Sequence, residues 1–384
     1  MDDFLGSVAQ EDVQFNTAVS RSAVTGENYM HLVVFCENTR CIEDSGALVN
    51  ANPGGTVKYA EVTADTYATV TKGKVKEWLA DYFAEQNNYS AFVVTFTDDL
   101  TADVDWTSTK EENLADAFEL FKHRAYFKTI VVGAESAANV TLPAAAVALS
   151  ELVGADSLLS APILLPVTTP ETPDTDPLYA ALHAAEADAY MVAHSDLTRN
   201  VALYTLSMAL SVLNASGSPV GNNFDFVGST KLTPSGASGA ALTVMQQTEL
   251  KNRNIAYCKR VGDSTGNTIV YGAKSLMGEV IPAYWIVRYS NYRCKTAVAA
   301  YIARMNTYRN NAAYQGILAI MNGIVGSFTQ DGSGRLANYV VTAPLFNELP
   351  SGGTSIIVPN AWRATYVDNV RSVQVSGSLE IVEG

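Results

Sequence analysis

Residues 74–96, KVKEWLADYFAEQNNYSAFVVTF, decide the fold because they hold a helical pattern followed directly by a strand pattern. In the first half, the apolar side chains of Val75, Trp78 and Leu79 recur at the spacing of one helix face. The apolar run at 92–96 shows no regular polar alternation, which is typical of a strand that is covered on both faces. The segment therefore predicts one helix–strand unit of an α/β protein.

The same unit recurs on both sides of this segment. Helical patterns are present at 111–124, 143–153, 178–187 and 201–214. Strand-like runs are present at 31–37, 129–133, 163–167 and 189–192, and the Thr/Val/Tyr-rich stretch 57–70 is predicted to be extended. Repeated helix–strand units predict a largely parallel sheet with helices on both faces, within a mixed α/β (α+β) fold.

The pattern changes after a stretch at 216–239 that is rich in Gly, Ser, Pro and Asn, which predicts a soft domain boundary. Downstream, the sequence predicts two strands within 255–272, strands at 284–289 and 338–345, and helices at 297–310 and 315–327. The chain is thus divided into an amino-terminal arm (1–22), an α/β body (23–230), a carboxyl-terminal domain (231–365) and a carboxyl-terminal strand arm (366–384).

Both ends of the chain carry the alternation of a strand with one apolar face. In the amino-terminal arm the residues on one face are Val13, Phe15, Thr17 and Val19. In the carboxyl-terminal arm the corresponding residues are Arg371, Val373, Val375, Leu379 and Ile381. Each strand could close the subunit's own sheet or add to a sheet of a neighbouring subunit. The alternation by itself favours the first interpretation.

The composition favours assembly and excludes some partners. Hydrophobic residues make up 48% of the chain and charged residues 17%, which predicts that part of the surface is buried against other subunits. The net charge of -14 disfavours binding to nucleic acid or to an anionic membrane. No apolar run approaches the length of about 18 residues that spans a bilayer, and residues 1–15 lack a signal-peptide pattern. We therefore expect folding in a cytoplasm.

No motif in the sequence predicts a catalytic, cofactor or metal site. The cysteines (Cys36, Cys41, Cys258 and Cys294) are expected to be reduced and buried, without zinc-site spacing. Five residues separate Gly266 from Gly272, where a phosphate loop needs four, and Ala273 precedes the lysine. The segment 235–239 is one residue short of a nucleophile elbow. We expect a protein that is not an enzyme, although a convergent polar pocket would support an α/β enzyme instead.

Residues 248–381 resemble the sheath proteins of contractile phage tails and related injection machines, through motifs in a matching order. The motifs are LKNRNI at 250–255, YGAKS at 271–275, an IVRY strand at 286–289 and the final amphipathic strand. The YGAKS segment stands where the family usually has a Gly-Ala-Arg-Thr type. The apolar Pro-Ala-Asn segment that often precedes the first motif is not present, and the chain is short for the family.

The resemblance implies a subunit that forms stacked six-fold rings around a tail tube and contracts during injection. Residues 231–365 would be the sheath-core domain, and the two terminal strands would pair between subunits. The implied partners are copies of the same chain, the tail tube protein, and the baseplate and tail terminator proteins, in a virion tail assembled in the host cytoplasm. A tube or baseplate protein is an alternative, and the predicted helices at 74–85, 111–124 and 201–214 argue against a tube.

Overall fold

The computed structural model describes residues 13–14, 31–52, 55–85, 89–97, 105–122, 124, 127–133, 141–155, 162–216, 227–261, 266–270, 272, 274–305, 310–329, 336–349, 356–357 and 362–366. The helices in these ranges are α1 (Tyr67–Val70), α2 (Gly73–Tyr82), α3 (Ser108–Phe121), α4 (Leu142–Ala155), α5 (Pro177–Ala184), α6 (Val201–Ser216), α7 (Val244–Asn252), α8 (Ile281–Met305) and α9 (Asn311–Gly326). The strands are β1 (Val13–Gln14), β2 (Leu32–Cys36), β3 (Val49–Asn50), β4 (Lys58–Val62), β5 (Ala91–Thr95), β6 (Phe127–Val131), β7 (Ile163–Val167), β8 (Ala189–Ala193), β9 (Val227–Ser229), β10 (Ala256–Arg260), β11 (Asn267–Val270), β12 (Leu336–Val341), β13 (Ile356–Ile357) and β14 (Trp362–Tyr366).

The first sheet has five strands in the order β3-β4-β5-β2-β6. β2 runs parallel to both of its neighbours, β5 and β6. β4 is antiparallel to β5, and β3 is antiparallel to β4. Every residue of β2, β5 and β6 is buried, which explains why β2 and β5 are mostly apolar, whereas β6 also buries Lys128 and Thr129. The predicted helix–strand alternation is confirmed here, and the sheet is mixed because the hairpin β3–β4 joins its edge.

The second sheet also has five strands, in the order β7-β8-β10-β11-β9. β7, β8 and β10 run parallel to one another, and β11 is antiparallel to both of its neighbours, β10 and β9. The boundary predicted between residues 230 and 231 crosses this sheet, since β8 lies before it and its hydrogen-bonded neighbour β10 lies after it. The division into domains stays a prediction, but the turn-rich stretch 216–239 does not separate two sheets.

One hydrophobic core runs through both sheets. Their edge strands β6 and β7 contact each other, and Thr129 Oγ1 donates a hydrogen bond to the Leu164 carbonyl at 2.6 Å. α4 packs against both α3 and α5, and α2 packs against α6. Helices that cover neighbouring sheets therefore pack on one another, which makes the body a single layered α/β unit.

The carboxyl-terminal part is built on the helical pair α8–α9, which has its own small apolar clusters. Gly316 on α9 allows close approach, because a Cβ there would overlap the Tyr301 hydroxyl of α8. The Tyr314 hydroxyl donates to the Pro344 carbonyl at 2.5 Å and fixes the segment that follows β12. The predicted helices at 297–310 and 315–327 correspond to parts of this pair.

Two predictions made from the sequence are wrong. The stretch 284–289 is not a strand but part of α8, which is 25 residues long and begins at Ile281. The stretch 57–70 is extended only as far as Val62, after which the chain turns and forms α1. In that turn Thr66 Oγ1 accepts a hydrogen bond from the Thr63 amide at 2.9 Å, a local bond that competes with a strand.

Candidate assembly surfaces

A small antiparallel sheet of β12 and β14 lies on the α8–α9 pair. One side of it packs inward, where Leu336, Tyr339 and Trp362 join a cluster with α8 and α9. The register shifts between Ala337 and Val340, and Asn338 takes a positive φ of 52° there. Beyond this bulge β12 is more exposed, and the small sheet carries exposed apolar side chains there.

The exposed apolar side chains are those of two consecutive valines of β12, which point to opposite faces of the small sheet. Val340 is 44% exposed and Val341 is 40% exposed. On the neighbouring strand, Arg363 is exposed opposite Val340. Among the strands that the structure describes, β14 has β12 on one edge and no strand on the other. An edge of this kind offers unpaired main-chain groups to a further strand.

The amino-terminal strand pairs with a segment far away in the sequence. Val13 and Gln14 form a parallel ladder with Ile356 and Ile357. Val13 thus lies in a short strand whose partner belongs to the same chain, and pairing of the amino-terminal arm between subunits stays a prediction. The other predicted arm residues lie outside the described residues: Phe15, Thr17, Val19, Arg371, Val373, Val375, Leu379 and Ile381.

Neither Ile356–Ile357 nor the valines of β12 were singled out from the sequence as part of an interface. The valines belonged to the strand predicted at 338–345, but the sequence pattern did not predict that both of them are exposed. Ile356–Ile357 is too short a run to predict a strand, and its partner is at the opposite end of the chain. Only the three-dimensional structure brings Val13 and Ile356 together.

A cavity of about 450 Å³ lies between α5, the end of α7 and residues 276–277. In it, Arg253 donates from Nε and Nη2 to the two carboxylate oxygens of Asp174, at 3.0 and 2.6 Å. This hydrogen bonding holds the pKa of Asp174 below its usual value. The rings of Tyr179 and His183 stack 5.5 Å apart on the same wall. The lining residues of this cavity include no Ser, Thr, Cys or Lys. The charges of Arg253 and Asp174 neutralise each other.

His194, Ser195 and Asp196 follow β8, at the strand end where α/β proteins often bind ligands. The Asp196 amide donates to His194 Nδ1 at 3.1 Å, and Ser195 Oγ donates to the Gly236 carbonyl at 2.7 Å. Burial lowers the pKa of His194 below its usual value. Because these side chains are engaged with neighbouring main-chain groups, the arrangement stabilises a turn and does not form a nucleophile–base pair.

The segments that resembled catalytic loops have ordinary structural roles. Ser235 Oγ donates to the Ala193 carbonyl and accepts from the Cys258 amide, at 2.6 and 2.7 Å. Ser238 is exposed in a tight turn with a φ of 54°. The segment 266–275 contains the strand β11, as its sequence predicted, where a phosphate loop would have exposed main-chain amides.

The part of the chain that the structure describes offers neither a metal-ligand cluster nor a membrane-spanning helix. It contains no group of three or more His, Cys, Asp or Glu side chains that could hold a metal ion. Over the same residues, no helix has both the length and the apolar character needed to cross a bilayer. Of the four cysteines, all of which are described, each is unpaired and buried.

The mixed sheets, the helical pair and the small terminal sheet define a mixed α/β protein, and a solved structure shares this fold. It is described as the cryo-EM structure of the anti-feeding prophage (AFP) baseplate, 6-fold symmetrised. The match has a TM-score of 0.54 and 10% sequence identity, and it covers 96% of this chain and 100% of that chain. At this identity the similarity concerns the fold. No protein-family model matches the sequence, and no curated protein matches it.

Proposed function

We propose that the chain is a non-enzymatic structural subunit of a contractile phage tail or a related injection particle. The shared fold with a chain of the anti-feeding prophage baseplate supports this class of particle. Within the class we propose a sheath subunit, which polymerises in stacked six-fold rings around a tail tube and shortens during injection. The order of the motifs LKNRNI at 250–255 and YGAKS at 271–275, which resembles that of sheath proteins, supports this finer assignment, although the IVRY motif at 286–289 lies in α8 and is not a strand.

The observation that carries the proposal is the small sheet of β12 and β14, in which no described strand pairs with the outer edge of β14 and two valines of β12 are exposed. A strand added from another subunit would supply main-chain hydrogen bonds along β14 and cover apolar surface. The strand pattern at 371–381, which begins a few residues after β14 ends, has the alternation that such pairing needs. Copies of the chain, the tube protein, and the baseplate and terminator proteins are the partners in this proposal, within a virion tail assembled in the host cytoplasm.

A baseplate component is the second candidate, because a solved structure that shares this fold is described as a baseplate. A baseplate subunit would form a discrete ring or bind to other proteins, whereas a sheath subunit forms a continuous helical tube. The two candidates therefore differ in the size and regularity of what the purified chain forms with itself.

Negative-stain electron microscopy of the concentrated full-length protein tests the proposal. Hollow tubes of even width are expected for a sheath subunit, and single rings would favour the baseplate candidate. Small uniform particles at every concentration would contradict the sheath assignment. As a control, a chain that lacks residues 370–384 is expected to stay folded and monomeric. If this shortened chain unfolds, the strand at 371–381 completes the subunit's own sheet instead.

A further inference from the structure

Arg124 occupies an unusual place, in the segment between α3 and β6. Its guanidinium carbon lies 5.4 Å from the ring centre of Tyr59, 5.7 Å from that of Phe92 and 5.0 Å from that of Phe121. All three distances are within the range of cation–π attraction. The three rings come from β4, β5 and α3, so the charged group is held by different elements of the first sheet and its covering helix.

The aromatic surface under Arg124 is itself well packed. The rings of Tyr59 and Phe121 meet edge to face at 5.2 Å, and His31 stacks on Phe92 at 5.6 Å. His31 Nδ1 lies 2.6 Å from Ser90 Oγ, which fixes the outer ring in turn. A guanidinium on such a surface can adopt few orientations. It therefore loses little conformational entropy when it binds a ligand.

Arg124 nevertheless has no anionic partner within the described part of the chain. Its Nε is buried without a hydrogen-bond acceptor, and no carboxylate there forms an ion pair with it. Other cations with little exposure do have carboxylate partners: Lys110 with Glu37, Arg199 with Asp81 and Arg253 with Asp174. A guanidinium that has lost water to aromatic rings is suited to a planar carboxylate, which it can bind with two parallel hydrogen bonds.

We propose that Arg124 binds a carboxylate of a second copy of this chain. With 39 acidic and 25 basic residues, a neighbouring copy presents carboxylates in excess, so charge complementarity favours this occupant. The inference rests on the proposed function, in which copies of the chain are neighbours in a polymer.

The first test compares self-association of variants by sedimentation velocity and electron microscopy. R124M removes the charge and is expected to raise the concentration needed for association about tenfold. R124K keeps the charge but loses the planar fork, and is expected to give an intermediate effect. K76M removes an exposed cation from α2 and is the matched control, with no expected change. Thermal unfolding of each variant separates a folding defect from a docking defect.

The second test identifies the partner carboxylate. R124K provides an amine at this position, which a carbodiimide joins by an amide bond to a carboxylate in contact with it. Mixing unlabelled and ¹⁵N-labelled subunits before the reaction distinguishes links between subunits from links within one subunit. Mass spectrometry is expected to find position 124 linked to an acidic residue of another subunit.

The outcomes separate this inference from the proposed function. Tubes that form normally with R124M, without a link between subunits at position 124, would overturn the docking role and leave the sheath assignment intact. A link found only within one subunit would also overturn it. A dimer that R124M weakens, without tubes, would support the docking role and contradict the sheath assignment. A chain that stays monomeric at every concentration would overturn both.

Discussion

Asp81 on α2 accepts a hydrogen bond from Arg199 Nε at 2.7 Å, and this contact ties a helix of the first sheet to the start of α6 on the second. The other carboxylate oxygen accepts from the Asn200 amide at 2.7 Å. Burial outweighs these bonds and raises the pKa of Asp81 to about 6. The folded state therefore binds a proton at this residue more tightly than the unfolded chain does.

We expect this residue to make stability fall as pH rises. A folded pKa above the unfolded value contributes stability at low pH, which is lost as pH rises through the folded pKa. For Asp81 the loss amounts to about 1.4 kcal/mol between about pH 5 and about pH 7.5. D81N does not titrate, so the difference in unfolding free energy between these two pH values should shift by about this amount. Urea unfolding of both proteins at the two pH values measures it.

Asp196 provides a control with the opposite sign. It accepts hydrogen bonds from the Thr198 hydroxyl and amide, and the hydroxyl bond is the main cause that lowers its pKa below the usual value. Its contribution is present above the unfolded pKa and is lost only as the pH falls below that value, so D196N should lower stability equally at the two pH values used for D81N. If D196N changes the difference in unfolding free energy between the two pH values as much as D81N does, burial of Asp81 is not the cause of that difference.

Two glycines of α9 should respond oppositely to alanine. A Cβ on Gly316 would lie 2.6 Å from Tyr301 Cζ, whereas a Cβ on Gly323 would meet nothing within 4 Å. We expect G316A to lower the unfolding free energy by about 1–3 kcal/mol through overpacking. G323A should raise it by about 0.5–1 kcal/mol, because alanine favours the helix. Denaturant unfolding compares them, and equal stabilities would mean that the Tyr301 ring moves aside at little cost.

The body of the fold could be predicted from sequence because its strands are buried on both faces and its helices have one apolar face. β7 begins and ends where its apolar run predicted, at Ile163 and Val167. Such elements depend on local pattern alone. The parallel pairing of Val13 with Ile356 depends on contact between distant segments, and no local signal specifies it.

The failure at 284–289 has a physical cause. The run contains aromatic and β-branched residues, which favour strands when counted one by one. In the structure the buried side chains of α8 include Ile286, Ser290 and Cys294, spaced by one helical turn. Because two of these three are a serine and a cysteine, the helical period was hidden from a reading of large apolar residues. Burial between α9 and the small sheet then selected the helix.

The exposed valines of β12 should matter for assembly and little for folding. Val340→Lys together with Val341→Lys places two charges on surface that is exposed in the single chain. If these valines are covered in the proposed polymer, the new charges would be buried there without partners, so tubes should fail to form. The thermal midpoint should change little, because both positions are exposed in the single chain. Val49→Lys is the matched control, since Val49 is 53% exposed on β3 of the body. Tubes that form normally with the double variant would exclude this surface from the interface.

The ion pair of Glu37 and Lys110 should be the most costly single contact to break in the first sheet. It lies at the carboxyl end of β2, with the Lys110 Nζ 2.5 Å from Glu37 Oε1 and both side chains almost fully buried. Thr141 Oγ1 donates to the other carboxylate oxygen at 2.7 Å. K110M leaves the Glu37 carboxylate buried without its cation, so the unfolding free energy should fall by about 3–5 kcal/mol.

Removing both charges of this pair separates the cost of an unpaired charge from the value of the pair itself. The double variant E37Q/K110M leaves no buried charge at this position, so it should recover much of the stability that K110M alone loses. T141V removes one hydrogen bond to the same carboxylate and should cost about 1–3 kcal/mol. Urea unfolding of the four variants, with E37Q as the remaining single, completes the cycle. If K110M lowers the unfolding free energy by less than about 1 kcal/mol, as an exposed ion pair would, then water reaches the Glu37 carboxylate at the carboxyl end of β2.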